Sequence, residues 1–181
     1  MFFITQRLYC YFYLILILNV FSSSLYSQMN QNNLGLESSA YLLQHAKNPI
    51  NWQRWDKKLY STNNTNKKLL VISIGYSSCH WCHVMEKETF ESSDVALYMN
   101  EKFISIKVDR EENPEIDNIY MTATQMMTGS GGWPLNVVCL PDGRPVYGGT
   151  YHTKSQWLEI LGKIQKLYEN DWDHQKLLFI L

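Results

Sequence analysis

The feature that most constrains this chain is an apolar strand that leads within a few residues into a Cys-X-X-Cys motif. Residues 68–75 form an apolar, largely β-branched run that ends at a glycine, which is typical of a central strand in a parallel or mixed sheet. The motif Cys79-His80-Trp81-Cys82 then opens a stretch with a helical pattern that continues to about Phe90. This order places the first cysteine at the N-terminus of a helix.

A thiol at that position is suited to redox chemistry. The unpaired N–H groups and the dipole of a helix start favour an anion, which lowers a cysteine pKa from about 8.5 towards the ~3.5–7.5 range. A protonated His80 would stabilise the thiolate further. We therefore predict Cys79 as the catalytic nucleophile and Cys82 as the cysteine that resolves the mixed disulfide. The other motif residues expected to line the site are His80, Trp81 and His83.

Two other interpretations of the motif stay open. A Cys-X-X-Cys pair is often half of a zinc site, and His80 and His83 could add nitrogen ligands. No second cysteine pair exists, so a closed site would need a partner such as His45 or His152. The stretch 79–83 also matches the haem c attachment pattern, which is usual in mostly helical chains rather than after a strand. We expect no metal and no cofactor.

The second supporting feature is Gly131-Gly132-Trp133-Pro134, which directly precedes an apolar run over 135–140. A proline that opens a strand opposite a Cys-X-X-Cys helix is commonly cis and lies beside the sulfurs, and glycines before it allow close backbone approach. We predict that Pro134 belongs to the catalytic site and that Trp133 lines it. The alternative is an ordinary turn that leads into a strand.

The remaining patterns predict a mixed order of helices and strands. The expected elements are a helix over 53–60, a strand over 68–75, a helix to about 90, a strand over 103–109, a helix over 115–127, strands over 135–140 and 145–151, and a final helix that begins with a capping box at Thr153 and Gln156. This order predicts an α/β fold, in which helices flank a mixed central sheet and the Cys-X-X-Cys motif opens a helix. It is the layout of a thioredoxin-like domain.

Several residues that could carry chemistry are interpreted as structural. Cys139 alternates within a strand and is expected to be a small core residue rather than a third redox partner. His45 is expected to be a satisfied structural histidine. Residues 109–112 are expected to form a solvated loop. The tryptophans expected to pack in the core are Trp52, Trp55, Trp157 and Trp172.

Composition excludes other classes of protein. The chain has 181 residues, of which 45% are hydrophobic and 14% aromatic, enough to fill a core and too many for a disordered chain. A net charge of −1 gives no electrostatic basis for nucleic-acid binding. Its 4 cysteines are too few for a small domain held together by disulfides.

The N-terminus has a separate character. Arg7 is the only charged residue before the polar spacer, and residues 8–21 are apolar apart from Asn19. This pattern predicts a signal peptide that carries Cys10 away with it; an uncleaved anchor and a mis-assigned first exon are the alternatives. A signal peptide would direct the domain to the endoplasmic reticulum lumen or outside the cell, and a mis-assigned exon would leave it in the cytoplasm or mitochondria. Membrane contact is expected only if the leader is uncleaved.

The predicted organisation has four parts. They are a leader over 1–27, a spacer over 28–33, the thioredoxin-like domain over 34–170 and an irregular tail over 171–181.

Five blocks of sequence occur in order within the predicted domain. They are Tyr41–Ala46 with Asn48-Pro49, Ser73–Met85, Lys107–Glu112, Thr128–Leu135 and Gly148–Tyr151. Together they resemble the N-terminal thioredoxin-like domain of the spermatogenesis-associated protein 20 family. The resemblance implies a thioredoxin fold, with Cys79 and Cys82 as the redox-type pair and Pro134 as its cis-proline.

The sequence departs from the expected pattern in three places. Ser73 stands where ordinary thioredoxins usually have a buried aspartate, so a proton acceptor for the resolving cysteine is missing. Ser39-Ala40 stands where family members usually have a proline. Family members also continue into a long helical toroid, which we expect to be absent here, as in a truncated family member.

Two functional hypotheses follow. The first is a thiol–disulfide oxidoreductase or redox-responsive module that acts on protein thiols or disulfides through Cys79 and Cys82. The second is a non-catalytic module in which the groove near Trp81, Trp133 and Pro134 docks a peptide, a partner protein or a missing second domain.

Overall fold

The computed structural model describes residues 31–56 and 68–170. The predicted leader, the first part of the spacer and the tail lie outside the described residues, together with residues 57–67, Cys10 and Trp172. Within the described ranges, no helix is both long and apolar enough to cross a membrane.

A mixed sheet forms the centre of the domain, as the sequence predicted, and in the described part of the chain it has five strands rather than the four expected. Its strands are β1 (Gln53–Arg54), β2 (Leu69–Gly75), β3 (Phe103–Asp109), β4 (Leu135–Cys139) and β5 (Pro145–Gly149). They lie in the order β1-β3-β2-β4-β5. The first three are parallel, β4 runs antiparallel to β2, and β5 runs antiparallel to β4. The strand β2 is paired along both edges and fully buried, which explains its unbroken apolar sequence.

Within residues 31–56 and 68–170, five α-helices flank the sheet. They are α1 (Ala40–Gln44), α2 (His80–Met85), α3 (Ser93–Lys102), α4 (Pro114–Thr128) and α5 (Lys154–Asn170), and a π-helical turn (Glu86–Phe90) continues α2. The predicted capping box is confirmed: the Thr153 N–H donates to Oε1 of Gln156 at 3.0 Å, and the Gln156 N–H donates back to Oγ1 of Thr153 at 3.5 Å. Behind this cap, Trp157 and Leu161 are fully buried.

The two faces of the sheet differ in chemistry. Alternate residues of a strand point to opposite faces. On one face Leu70, Ile72 and Ile74 join apolar partners on β3 and β4, and α4 packs against β4 and β5. On the other face Ser73 and Lys107 are aligned as Cα partners and are both buried. This second face, which also carries Leu69 and Val71, is the one on which the Cys-X-X-Cys helix lies.

The predicted helix over 53–60 is wrong for its described part. Gln53 and Arg54 instead pair in parallel with Ile106 and Lys107 of β3. A few apolar residues at helical spacing are too short a pattern to distinguish a helix from an edge strand. Backbone pairing with β3 makes this segment a strand.

The sequence does not predict the helix α3, because its apolar pattern is weak. Only Val95, Ala96 and Met99 are buried along its length, so the sequence gives a weak amphipathic signal.

The close approach of α4 to β5 at Gly148 gives a stability prediction. A methyl group added there would lie 2.8 Å from Cγ2 and 2.9 Å from Cβ of the buried Thr124. We expect Gly148→Ala to destabilise the domain by about 1–3 kcal/mol in urea unfolding, because the helix must move away from the sheet. In the control Gly35→Ala, the nearest atom is Cβ of Ala46 at 3.9 Å, so stability should change by about 0.5 kcal/mol or less. Equal unfolding midpoints for the two variants would contradict this account of the packing.

Candidate active site

The two motif cysteines lie where β2 gives way to α2. Cys79 is the N-cap residue of α2 and forms a disulfide with Cys82, with the Cα atoms 5.3 Å apart. The backbone N–H of Cys82 donates to Sγ of Cys79 at 3.2 Å. Cys79 is 4% exposed and Cys82 is 1% exposed. The helix-start N–H that would stabilise a thiolate is therefore directed at the first sulfur.

The two histidines of the motif have different surroundings. His80 is exposed, and its ring centroid lies 5.7 Å from that of Trp81. His83 instead donates from Nε2 to the backbone carbonyl oxygen of Ser77 at 2.8 Å. His83 therefore braces the turn before the motif, a role that sequence spacing alone does not reveal.

Trp133 is held in place beside the proline by two charged side chains. The Trp133–Pro134 peptide bond is cis. The guanidinium carbon of Arg110 lies 3.9 Å from the centroid of the Trp133 ring, a cation–π contact. The indole Nε1–H donates to Oδ1 of Asp117 at 2.8 Å, and Nε of Arg110 lies 3.3 Å from Oδ2 of the same carboxylate. We call Arg110 and Asp117 the tryptophan clamp.

The expectation of a solvated loop over 109–112 is therefore wrong for its first two residues. Arg110 belongs to the tryptophan clamp, and Asp109 is buried, where it accepts a hydrogen bond from Oγ of Ser39 at 2.6 Å. Ser39 also caps α1, since its Oγ accepts from the Leu42 N–H at 3.1 Å. The serine found in place of the family's usual proline thus ties α1 to the end of β3.

An open groove of about 320 Å³ connects the motif with the proline loop. Its lining residues are Trp81, Gly131, Gly132, Trp133, Thr150 and Tyr151. Trp81 is 54% exposed, and its ring centroid lies 5.2 Å from that of Tyr151. Because one tryptophan comes from the motif and the other precedes Pro134, the groove brings together the two segments that the sequence singled out.

A buried amine lies beneath the Cys-X-X-Cys face of the sheet. Lys107 is 1% exposed, and its Nζ donates to Oγ of Ser73 at 3.0 Å. The same nitrogen lies 4.6 Å from the ring centroid of Phe90 and 4.9 Å from that of Trp52. Burial lowers the pKa of Lys107 to about 7, although the negative charge of Glu86 opposes the shift. The amine therefore gives up its proton much more readily than an exposed lysine does.

Position 45 holds a buried structural histidine, as expected, but its ring is not fully satisfied. Nδ1 of His45 lies 3.2 Å from Oε1 of Glu86, and Nε2 has no hydrogen-bond partner among the described residues. Burial, aided by Lys107 and opposed by Glu86, lowers the pKa of His45 to about 4. His45 is therefore a buried neutral imidazole beside a carboxylate.

The residues considered as zinc ligands do not come together. His45 contacts Glu86, while Nε2 of His152 lies 2.7 Å from the hydroxyl oxygen of Tyr147. Among the residues that the structure describes, no cluster of three or more histidine, cysteine, aspartate or glutamate side chains could hold a metal ion. Cys139, expected to be a core residue, is buried and free.

The chain is similar in sequence to curated proteins named spermatogenesis-associated protein 20. It is 43% identical over 135 residues to the protein of Rattus norvegicus. The aligned region covers 75% of this chain and 17% of that protein. It is 44% identical over 131 residues to the protein of Homo sapiens. That alignment covers 72% of this chain and 17% of the relative. The chain thus spans less than a fifth of the length of these two relatives.

Solved structures show the same fold at low sequence identity. A structure titled DsbH oxidoreductase aligns with a TM-score of 0.51 and 14% identity, over 65% of this chain and 85% of that one. A thioredoxin from Thermus thermophilus aligns with a TM-score of 0.52 and 12% identity, over 70% of this chain and 97% of that one. The thioredoxin-like fold predicted from the sequence is confirmed.

A family model covers most of the chain. The family is described as Thioredox_DsbH, protein of unknown function, DUF255, and it matches residues 31–178. The match includes the Cys-X-X-Cys motif, the tryptophan clamp and the proline loop. Together with the similarity to spermatogenesis-associated protein 20, it confirms the resemblance found in the sequence blocks, and the chain belongs to this thioredoxin-like family.

Proposed function

We propose that this domain catalyses thiol–disulfide exchange on protein thiols or disulfides, with Cys79 as the nucleophile and Cys82 as the resolving cysteine. The observation that carries the proposal is the hydrogen bond from the Cys82 N–H to Sγ of Cys79, because it stabilises a thiolate at the start of α2. The groove that joins Trp81 to the proline loop supplies a surface for an extended peptide.

The chemistry needs only the two cysteines and the substrate. The Cys79 thiolate attacks one sulfur of a substrate disulfide, which forms a mixed disulfide and releases the other substrate sulfur as a thiolate. Cys82 then attacks Sγ of Cys79, releases the second substrate sulfur and leaves the Cys79–Cys82 disulfide. Run in reverse, the same steps oxidise a substrate dithiol, and the direction follows the redox poise of the compartment.

A second candidate function is peptide docking without turnover. Trp81 is 54% exposed although it is a large aromatic residue, and it lies beside an open groove that also contains Trp133. Exposed aromatic residues at a groove are typical of binding sites as well as of active sites. The two candidate functions differ in whether the sulfurs are required.

The exchange chemistry requires both cysteines of the motif, in different steps. In insulin reduction driven by dithiothreitol, we expect Cys79→Ser to lower the rate to that of dithiothreitol alone, because no nucleophile remains. When pre-reduced Cys82→Ser is mixed with insulin after dithiothreitol has been removed, we expect a covalent complex with the substrate to accumulate, because neither Cys82 nor an external thiol can resolve the mixed disulfide. Non-reducing electrophoresis and mass spectrometry would detect that complex.

The matched control for the cysteine variants is Cys139→Ala, which removes a buried free thiol outside the motif. It should retain the wild-type rate of insulin reduction at temperatures where it is folded. Wild-type turnover by Cys79→Ser would rule out the exchange chemistry, and peptide binding by that variant with no turnover in the wild type would favour docking.

The groove should matter only for substrates that are large enough to fill it. We expect Trp133→Ala to lower kcat/KM for a protein disulfide about tenfold, a loss of ~1.4 kcal/mol of transition-state binding, because the peptide loses an aromatic wall. Reaction with a small aromatic disulfide, which does not fill the groove, should change by about twofold or less. The control Leu97→Ala replaces an exposed residue outside the groove and should leave both rates unchanged. Equal losses with the two substrates would show that Trp133 acts on the sulfurs rather than on substrate binding.

A further inference from the structure

The resolving step places a demand on the site that Ser73 does not meet. Cys82 must lose its proton while only 1% exposed, and a serine offers no carboxylate to accept it. A buried thiolate is disfavoured unless a hydrogen-bond donor or a positive charge faces it. The groups that border Sγ of Cys82 therefore determine how readily the mixed disulfide is resolved.

Gly75 leaves the space in which Tyr41 and Cys82 meet. A methyl group added at Gly75 would overlap the Tyr41 hydroxyl, and it would lie 2.8 Å from Cζ of Tyr41 and 2.7 Å from Sγ of Cys82. Both side chains thus reach into the volume that any other residue at this position would fill. The tyrosine hydroxyl and the resolving sulfur border the same small space at the end of β2.

The hydroxyl of Tyr41 is available to the sulfur. Tyr41 is fully buried, and its hydroxyl has no hydrogen-bond partner among the described residues. Buried polar groups in native proteins are nearly always paired, so an unpaired donor beside a reactive sulfur calls for an explanation. Burial, with the negative charges of Glu86 and Asp109, raises the pKa of Tyr41 well above its ordinary value. The hydroxyl therefore keeps its proton and acts as a donor.

Four charged or titratable side chains lie near Tyr41. The ring of His45, from α1, packs edge-to-face on it at 5.0 Å between centroids. Glu86, which follows α2, and Asp109, at the end of β3, contribute negative charge. Nζ of Lys107 lies 5.4 Å from the centroid of the Tyr41 ring. The two carboxylates disfavour a further anion, so a thiolate here depends on the hydroxyl donor and on the amine.

We propose, building on the exchange chemistry above, that the Tyr41 hydroxyl donates a hydrogen bond to Sγ of Cys82 and stabilises the thiolate of the resolving step, with Lys107 as the compensating positive charge. Tyr41 is the catalytic residue in this assignment, because it borders the reacting sulfur. Lys107 is a positioning residue that acts across the tyrosine ring. The pair does not accept the Cys82 proton; it stabilises the thiolate, so that Cys82 can ionise without the carboxylate that Ser73 does not supply.

The resolving step balances without a further reactant. The Cys82 thiolate attacks Sγ of Cys79, so that the Cys79–Cys82 bond forms and the bond between Cys79 and the substrate breaks. The electron pair of the broken bond leaves on the substrate sulfur, which ends with the proton that Cys82 released. The substrate disulfide is reduced, the cysteine pair is oxidised, and an external dithiol reductant restores the pair.

The test measures the Cys82 thiolate without requiring turnover. In a Cys79→Ser background, the rate of Cys82 alkylation by iodoacetamide is followed by mass spectrometry across a range of pH values. We expect Tyr41→Phe to raise the pKa of Cys82 and to lower its alkylation at neutral pH about tenfold, equivalent to one pKa unit. Thermal stability should be unchanged or higher, because the hydroxyl that is removed has no partner. Lys107→Met should shift the pKa of Cys82 in the same direction.

The matched control is Tyr120→Phe, which removes a tyrosine hydroxyl that donates to the carbonyl oxygen of Gly143 at 3.1 Å. It should lower stability and leave Cys82 alkylation unchanged. Identical Cys82 titrations with and without the Tyr41 hydroxyl would overturn the proposal. Failure of the exchange function would look different: the wild type would lack insulin reduction, whereas Tyr41→Phe would still shift the pKa of Cys82.

Discussion

The burial of Lys107 is the constraint around which the Cys-X-X-Cys face of this domain is built. Removing an ammonium group from water costs several kcal/mol, on the order of what the whole domain has in stability. The cost is reduced by the Ser73 hydroxyl, by aromatic rings from three segments and by the negative charge of Glu86. These contacts bring α1, the residues before β1 and the turn after α2 together at one point of the sheet, beneath the Cys-X-X-Cys helix.

Regular elements with strong local signals could be predicted from the sequence, and weakly patterned ones could not. The strand over 103–109 and the capping box at Thr153 were found because periodicity and cap chemistry are local properties. The helix α3 was missed because few of its residues face the core, and β1 was taken for part of a helix because its pairing partner lies about fifty residues further along the chain. A sheet edge formed by distant residues leaves little trace in the segment that joins it.

The residues of the candidate site also differ in how far the sequence predicts them. Cys79, Cys82 and Pro134 could be named because a short motif or a proline at a strand start has a characteristic sequence. The tryptophan clamp could not, since Arg110 and Asp117 look like ordinary solvent-facing charges until the fold places them against Trp133. Lys107 is unusual in the sequence because it is a charged residue within an apolar strand. Its contact with Ser73, however, depends on the register of β2 and β3.

The serine at position 73 determines how the charge of Lys107 responds to pH. A carboxylate there would form an ion pair with Lys107 and hold the amine protonated through neutral pH. A hydroxyl accepts a hydrogen bond but supplies no charge, so burial dominates and the pKa of Lys107 falls to about 7. The amine is then an ammonium below that value and neutral above it, and the neighbouring His45 stays neutral down to about 4. The positive charge of Lys107, 5.4 Å from the centroid of the Tyr41 ring, therefore depends on pH instead of being fixed by a permanent ion pair.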